Sequence, residues 1–219
     1  MRLFAFFSIF ISFATHAQTD AGARFVSLAN AAVALQDVWS VQYNQAGLCA
    51  IERPIFSVGS TPNFNHGLYT QSLVGALPYR NNVFGISVQR YGIPEYSEHK
   101  LGLSYARRFN KLSVALHGNY HQLYAQNYGV AKQFSIETGL QYHISSDWCI
   151  GLHIANPSKH ISNTMYIPTR VQLGASYRFT DKLTIASSID RINDAPYNLR
   201  TGIEYQITTW TSLRGGMAT

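Results

Sequence analysis

The sequence predicts an all-β protein: an antiparallel up-and-down transmembrane β-barrel of about eleven strands, with an N-terminal segment packed in its lumen. Three observations carry this reading. Charged residues are only 13% of the 219-residue chain, against about 25% in soluble proteins, while aromatic residues also reach 13%, too many for a disordered chain. From Pro54 onward, apolar and polar residues alternate in segments of about ten, the period of a strand with one face of each kind. Aromatic residues recur beside the short turns that join these segments.

The first element is an address. Met1 and Arg2 precede an apolar run over 3–14, followed by Thr15-His16-Ala17. Residues 1–17 therefore read as a secretory signal peptide cleaved after Ala17, because the apolar run is well short of the roughly 18 residues a membrane helix needs. No later run reaches that length either. The mature chain would begin at Gln18 and reside in the bacterial outer membrane, with lipid as its surroundings. Lys and Arg number 17 against 11 Asp and Glu, but the basic residues are scattered singly, so no nucleic-acid partner is expected. Cys49 and Cys149 are too few for a disulfide scaffold; they read as small buried apolar residues, and their spacing does not decide whether they pair.

Residues 18–54 break the strand pattern. Phe25, Leu28, Ala29, Ala32 and Val33 follow a helical spacing, and the run 29–35 is small and Ala-rich. Too short to span a bilayer and too apolar for a free tail, this segment is expected to plug the lumen as a hatch; a periplasmic arm is the alternative. Asp37 would then need one of the inward arginines as a partner, since a buried carboxylate left alone is costly.

Residues 55–219 supply the strands. Alternation is clearest at 101–109, 112–124, 134–144, 148–154, 171–179, 183–189 and 199–207, weaker at 56–60, 69–77 and 84–88, with a last strand from about Thr211. In 112–124, Leu112, Val114, Leu116 and Tyr120 share one face and Ser113, Ala115, His117, Asn119 and His121 the other. The same logic turns Arg108, His117, His121, Glu137, His143, His153, Arg170, Arg178, Asp190, Arg200 and Glu204 toward the lumen. The arginines and carboxylates can pair across adjacent strands, or an arginine can receive a substrate carboxylate.

A loose repeat runs through the strands: Gly102-Leu-Ser-Tyr105, Gly139-Leu-Gln-Tyr142, Gly174-Ala-Ser-Tyr177 and Gly202-Ile-Glu-Tyr205. Period two puts each Gly on the polar face and each Tyr on the apolar one. Tyr105, Tyr142, Tyr177 and Tyr205, with Trp148, Trp210, Phe109 and Phe179, thus form an aromatic girdle near the short turns, as at a membrane interface. The other connections, at 92–99, 126–132, 156–168 and 193–198, read as longer polar loops. A soluble β protein could also show one apolar face, but not this repeated ring.

Catalytic motifs are missing, and neither an enzyme, a cofactor nor a metal is expected. His117 and His121 share a face but stand about 13 Å apart along a strand, too far to chelate together. His143 and His153 lie on neighbouring strands and both point inward, so a pair is geometrically open to them.

Gly22-Ala23-Arg24, the small-residue run 28–34, Gln36-Asp37, then Tyr43-Asn44-Gln45-Ala46-Gly47-Leu48 before a first strand resemble the start of the FadL-like outer-membrane family. That family includes transporters of long-chain fatty acids and aromatic hydrocarbons, and the PorV and PorQ proteins of type IX secretion. The resemblance implies that Asp37, Asn44, Gln45, Ala46, Gly47 and Leu48 form the hatch motif. It also implies a barrel of about fourteen strands, of which this chain would supply the first eleven or so, as a fragment lacking the last strands. Gln45 stands where the family has Pro, and Val38 follows Asp37 where a second acidic residue is common. The partners implied are secretion-system proteins, as for PorV and PorQ, or a hydrophobic small molecule such as a long-chain fatty acid. The few large apolar residues assigned to the lumen favour the secretion-linked group.

Overall fold

A computed structural model of the chain describes residues 22–62, 68–157 and 165–219. The signal peptide at 1–17 and its cleavage site lie outside the described residues, as do 18–21 of the expected hatch and parts of two connections. Eleven strands follow one another: β1 (Ile55–Pro62), β2 (Tyr69–Tyr79), β3 (Asn82–Ile93), β4 (Tyr96–Phe109), β5 (Leu112–Ala125), β6 (Gly129–His143), β7 (Trp148–Ala155), β8 (Arg170–Thr180), β9 (Leu183–Ile192), β10 (Asn198–Gln206) and β11 (Ser212–Ala218). Each pairs antiparallel with the next in a single sheet, β1 to β11 in order. Among the described residues β1 and β11 do not pair with each other, so the sheet keeps two free edges.

The expected alternation sets the faces. Along β5, Ser113, Ala115, His117 and Asn119 are buried while Leu112 and Leu116 are exposed. The inner face packs against the N-terminal segment, which reaches both ends of the sheet: a Cβ added at Gly59 of β1 would meet the Trp39 ring, and one at Gly216 of β11 the Leu28 carbonyl carbon. The strands therefore curl around this segment, whose Phe25, Leu28, Val41, Ala46 and Leu48 are wholly buried.

That segment is less helical than its spacing predicts. The helix α1 spans only Ala23–Ser27; Ala29 and Asn30 then adopt φ of 53° and 60°, and no helix covers 29–35. The Ala run has the propensity for a helix, but the sheet offers its exposed carbonyls better partners. Two 3-10 turns complete the plug. Asp37 caps Val38–Gln42, its carboxylate accepting from Trp39 N at 3.3 Å while its own N–H donates to Ser40 Oγ at 3.1 Å, and Asn44 caps Gln45–Ala50 by accepting from Ala46 N at 3.2 Å.

Two expected long connections are tight hairpins instead. β3 and β4 are joined by Pro94 and Glu95, and β5 and β6 by 126–128. The strand ends there carry polar residues on both faces, which erases the alternation that marks a strand. The connections after β7 and β9 are longer, as expected.

The Gly-x-x-Tyr repeat gains a physical meaning in this packing. Its glycines lie on the face that carries the plug: a Cβ on Gly139 would stand 2.2 Å from Asn44 Oδ1, and one on Gly202 would meet Leu28 Cβ at 2.7 Å and its carbonyl oxygen at 2.8 Å. Gly118, on the outer face, has no atom within 4 Å of such a Cβ. Gly202→Ala is accordingly expected to destabilise the fold by about 1–3 kcal/mol, and Gly118→Ala to stay close to wild type, as read by urea midpoints of the folded protein in detergent micelles.

Candidate functional site

The inner face is polar, and its side chains converge on the plug in three clusters. Glu137 of β6 is the hub of the first. It accepts from Lys100 Nζ at 3.1 Å, Asn119 Nδ2 at 2.7 Å and Gln45 Nε2 at 2.9 Å, and it pairs with His153 Nε2 at 3.1 Å. Gln45, the residue that departs from the family motif, is thus what joins the plug to this hub. His117 lies alongside, its Nδ1 2.6 Å from Ser104 Oγ and its Nε2 2.7 Å from Asn119 Oδ1. A hydroxyl, an imidazole and an amide in line have the composition of a hydrolase site; here Ser104 and His117 are buried, and neither is in the wall of the cavity described below.

The second cluster centres on Arg24 of α1. Its Nη2 donates to Glu204 of β10 at 2.7 Å and its Nη1 to Asp37 at 3.2 Å, while Glu204 also accepts from Arg214 of β11 at 2.5 Å. Burial opposes the Arg24 charge, yet the hydrogen bonds and charges of Glu204 and Asp37 outweigh it and raise its pKa above the ordinary value. The expectation that Asp37 meets a wall arginine is therefore corrected. Its partner is the plug's own Arg24, which then reaches the wall through Glu204. A lone arginine in an otherwise apolar segment was the available signal, since such a charge must find carboxylates.

Asp190 of β9 anchors the third cluster, accepting from Arg200 Nε at 2.6 Å and pairing with Arg170 Nη2 at 3.3 Å. Arg200 also donates to the Ala29 carbonyl at 3.2 Å. The expected cross-strand pairing thus holds for Asp190 with Arg170 and Arg200, whereas Glu204 pairs with Arg24 of the plug and with Arg214, and Glu137 with Lys100 two strands away. Arg108 and Arg178 are exposed at the short-turn end and, among the described residues, form no ion pair.

Uncharged side chains hold the non-helical backbone. Gln141 Nε2 donates to the carbonyls of Val33 at 3.1 Å and Leu35 at 3.0 Å, Ser176 Oγ to Ala34 O at 2.9 Å, and Asn44 Nδ2 to Val33 O at 2.6 Å and to Leu140 O on β6 at 3.0 Å. In the hatch motif it is thus the side chains of Asn44 and Gln45 that bind the wall; Ala46, Gly47 and Leu48 are buried behind them. Gln36 reaches His143 Nε2 at 2.8 Å. His143 and His153 do not meet, because His143 pairs in register with Cys149 and His153 with Gly139. His121 bonds Ser135 at 2.8 Å. Among the described residues no group of three or more His, Cys, Asp or Glu is placed to hold a metal ion. Cys49 and Cys149 are both free, and burial raises the Cys49 thiol above its ordinary range.

Above the plug, toward the β3–β4 hairpin and the connection after β7, lies a cavity of about 370 Å³ whose wall includes Gln42, Tyr91, Lys100, His121, Glu137 and Tyr166. On the outer face the girdle residues Tyr105, Tyr142, Trp148 and Tyr205 are each more than two-fifths exposed, Tyr177 stacks on Trp148 with ring centroids 4.5 Å apart, and Trp210 projects from the turn before β11. A second outward aromatic pair, Tyr120 against Phe134 at 5.1 Å, sits toward the other end. No protein-family model matches this chain, and no curated protein matches it.

Removing Glu137 tests the hub. Glu137→Leu leaves Lys100 and three other polar groups without their acceptor and is expected to cost about 3–5 kcal/mol, while adding Lys100→Met restores part of that loss. Equal instability of the single and double variants in urea unfolding would contradict the pairing.

Proposed function

We propose that this protein is an outer-membrane β-barrel whose lumen is filled by its own N-terminal segment, and that it serves protein export or surface attachment, as the PorV and PorQ group it resembles does. One observation carries the membrane part: the faces are inverted relative to a water-soluble β protein. Leu73, Leu103, Leu116, Phe134, Ile136, Leu173, Ile203 and Leu213 are exposed on the outer face, whereas Glu137, Asp190, His117, His153 and Arg200 are buried inside. A solvated surface of contiguous leucine, isoleucine and aromatic side chains is a liability in water, and the same surface is what lipid requires of a strand. Lipid cannot hydrogen-bond the free edges of β1 and β11, so this reading requires further strands against them.

The character of the interior supports an export role over a conduit for hydrophobic molecules. A fatty acid needs a continuous apolar path, and in the cavity above the plug the apolar Met165, Ile167 and Ile192 are interrupted by amides, histidines and the Lys100–Glu137 pair. Below it, the plug is fastened to β6, β8 and β10 by the bonds of Glu137, Gln141, Ser176, Arg200 and Glu204. Such a body presents a rigid barrel to protein partners and leaves little room for passage. A strain lacking the gene is expected to take up labelled oleate at the wild-type rate and to lose proteins from its surface, with the missing proteins held in the periplasm. Lost oleate uptake with an unchanged surface proteome would contradict the proposal and favour the transporter reading.

A further inference from the structure

Among the described residues, the ties between plug and wall leave the whole side-chain amide of Gln42 unused. Gln42 ends the first 3-10 turn and lines the cavity, and both polar atoms of its side-chain amide are buried without a hydrogen-bond partner. A buried amide in that state calls for an explanation, and turning about its flexible side-chain torsions toward the cavity is how it gains a partner. The two cationic side chains of the cavity wall are already matched. Lys100 pairs with Glu137, Arg170 with Asp190, and Glu98 accepts from the Tyr96 hydroxyl. An anionic ligand finds no unpaired cation here and meets the Glu98 carboxylate, and an apolar one would seal the amides and imidazoles away from water.

The rest of the wall sets planar amides, imidazole and tyrosine surface from Gln42, Gln172, His121, Tyr91 and Tyr166 beside apolar Met165, Ile167 and Ile192. Vicinal hydroxyls donate and accept at once, which matches an amide, and the C–H face of a sugar ring packs against the negative face of an aromatic ring. The volume of about 370 Å³ falls at the small end of the roughly 300–1,000 Å³ of ligand sites, suited to one such ring. We infer that this cavity binds a small neutral polyhydroxylated ligand, a monosaccharide or a single sugar unit, with the Gln42 amide turned onto its hydroxyls. The inference stands apart from the export reading, because these walls are the same whatever the outer face meets.

The test is saturation-transfer NMR on the full chain folded in detergent micelles, with glucose, galactose and N-acetylglucosamine as probes and citrate and decanoate as ionic and apolar competitors. Transfer to the ring protons of at least one sugar is expected, weakened at least about tenfold by Gln42→Leu and not displaced by either competitor. Should Gln42→Leu fail to fold, Tyr166→Ala, at the exposed edge of the cavity, is expected to weaken binding as well. Absence of transfer to all three sugars overturns the inference, as does undiminished binding in the folded variant or displacement by citrate or decanoate, and none of these results bears on the export role.

Discussion

A buried backbone that is neither helix nor strand must find hydrogen-bond partners elsewhere, and the interior of this protein is arranged around that requirement. The chain leaves the helical region at Ala29 and Asn30 and runs through the inner side of the sheet with its carbonyls turned to the wall. Gln141, Ser176 and Arg200 are the donors that meet it. Those polar side chains share the inner face with small apolar ones such as Val74, Ala106 and Ala186, and period two sends the large apolar residues outward. The Gly-x-x-Tyr repeat compresses both demands into four residues, a glycine where the plug presses on the wall and a tyrosine on the opposite face.

The charges obey the same constraint. Three carboxylates of the inner face are each met by at least two donors: Glu137 by Lys100 and Gln45 among others, Asp190 by Arg170 and Arg200, Glu204 by Arg24 and Arg214. Truncating one partner of such a group strands the other in a poorly solvated place, which is where most of its energetic weight lies. Arg24 and Gln45 matter most to the architecture, since they carry the plug's side of the bond to β10 and β6.

Sequence alone made the strands legible because alternation is a local property. Leu112 to Leu116 reports its two faces without reference to any other strand, and all eleven strands were readable on that basis. Strand ends were not, because at Ser97 or Lys132 both faces turn polar and the period disappears. The interior of the plug was harder for a different reason. The Ala-rich run reads as a helix by propensity, and only contacts distant in sequence, from Gln141 and Ser176, make the non-helical path the better one. Asp37 likewise had several arginines within the pattern of inward residues, and only the isolation of Arg24 in an apolar stretch pointed to it instead. The inner-face placement of His117, His121, His143 and His153 was legible from parity, while their separate partners depend on the register between strands.

The inverted faces are the central claim, and site-directed spin labelling along β5 addresses them most directly. With Cys49 and Cys149 replaced by alanine, nitroxides are placed one at a time from 112 to 120 in the protein reconstituted into lipid vesicles. The account predicts collision with oxygen, which concentrates in lipid, that rises at Val114, Leu116 and Gly118 and falls at Ala115, His117 and Asn119, with a water-soluble nickel chelate excluded from the first set. Strong collision of the chelate at Val114, Leu116 and Gly118 would place the outer face in water and contradict it.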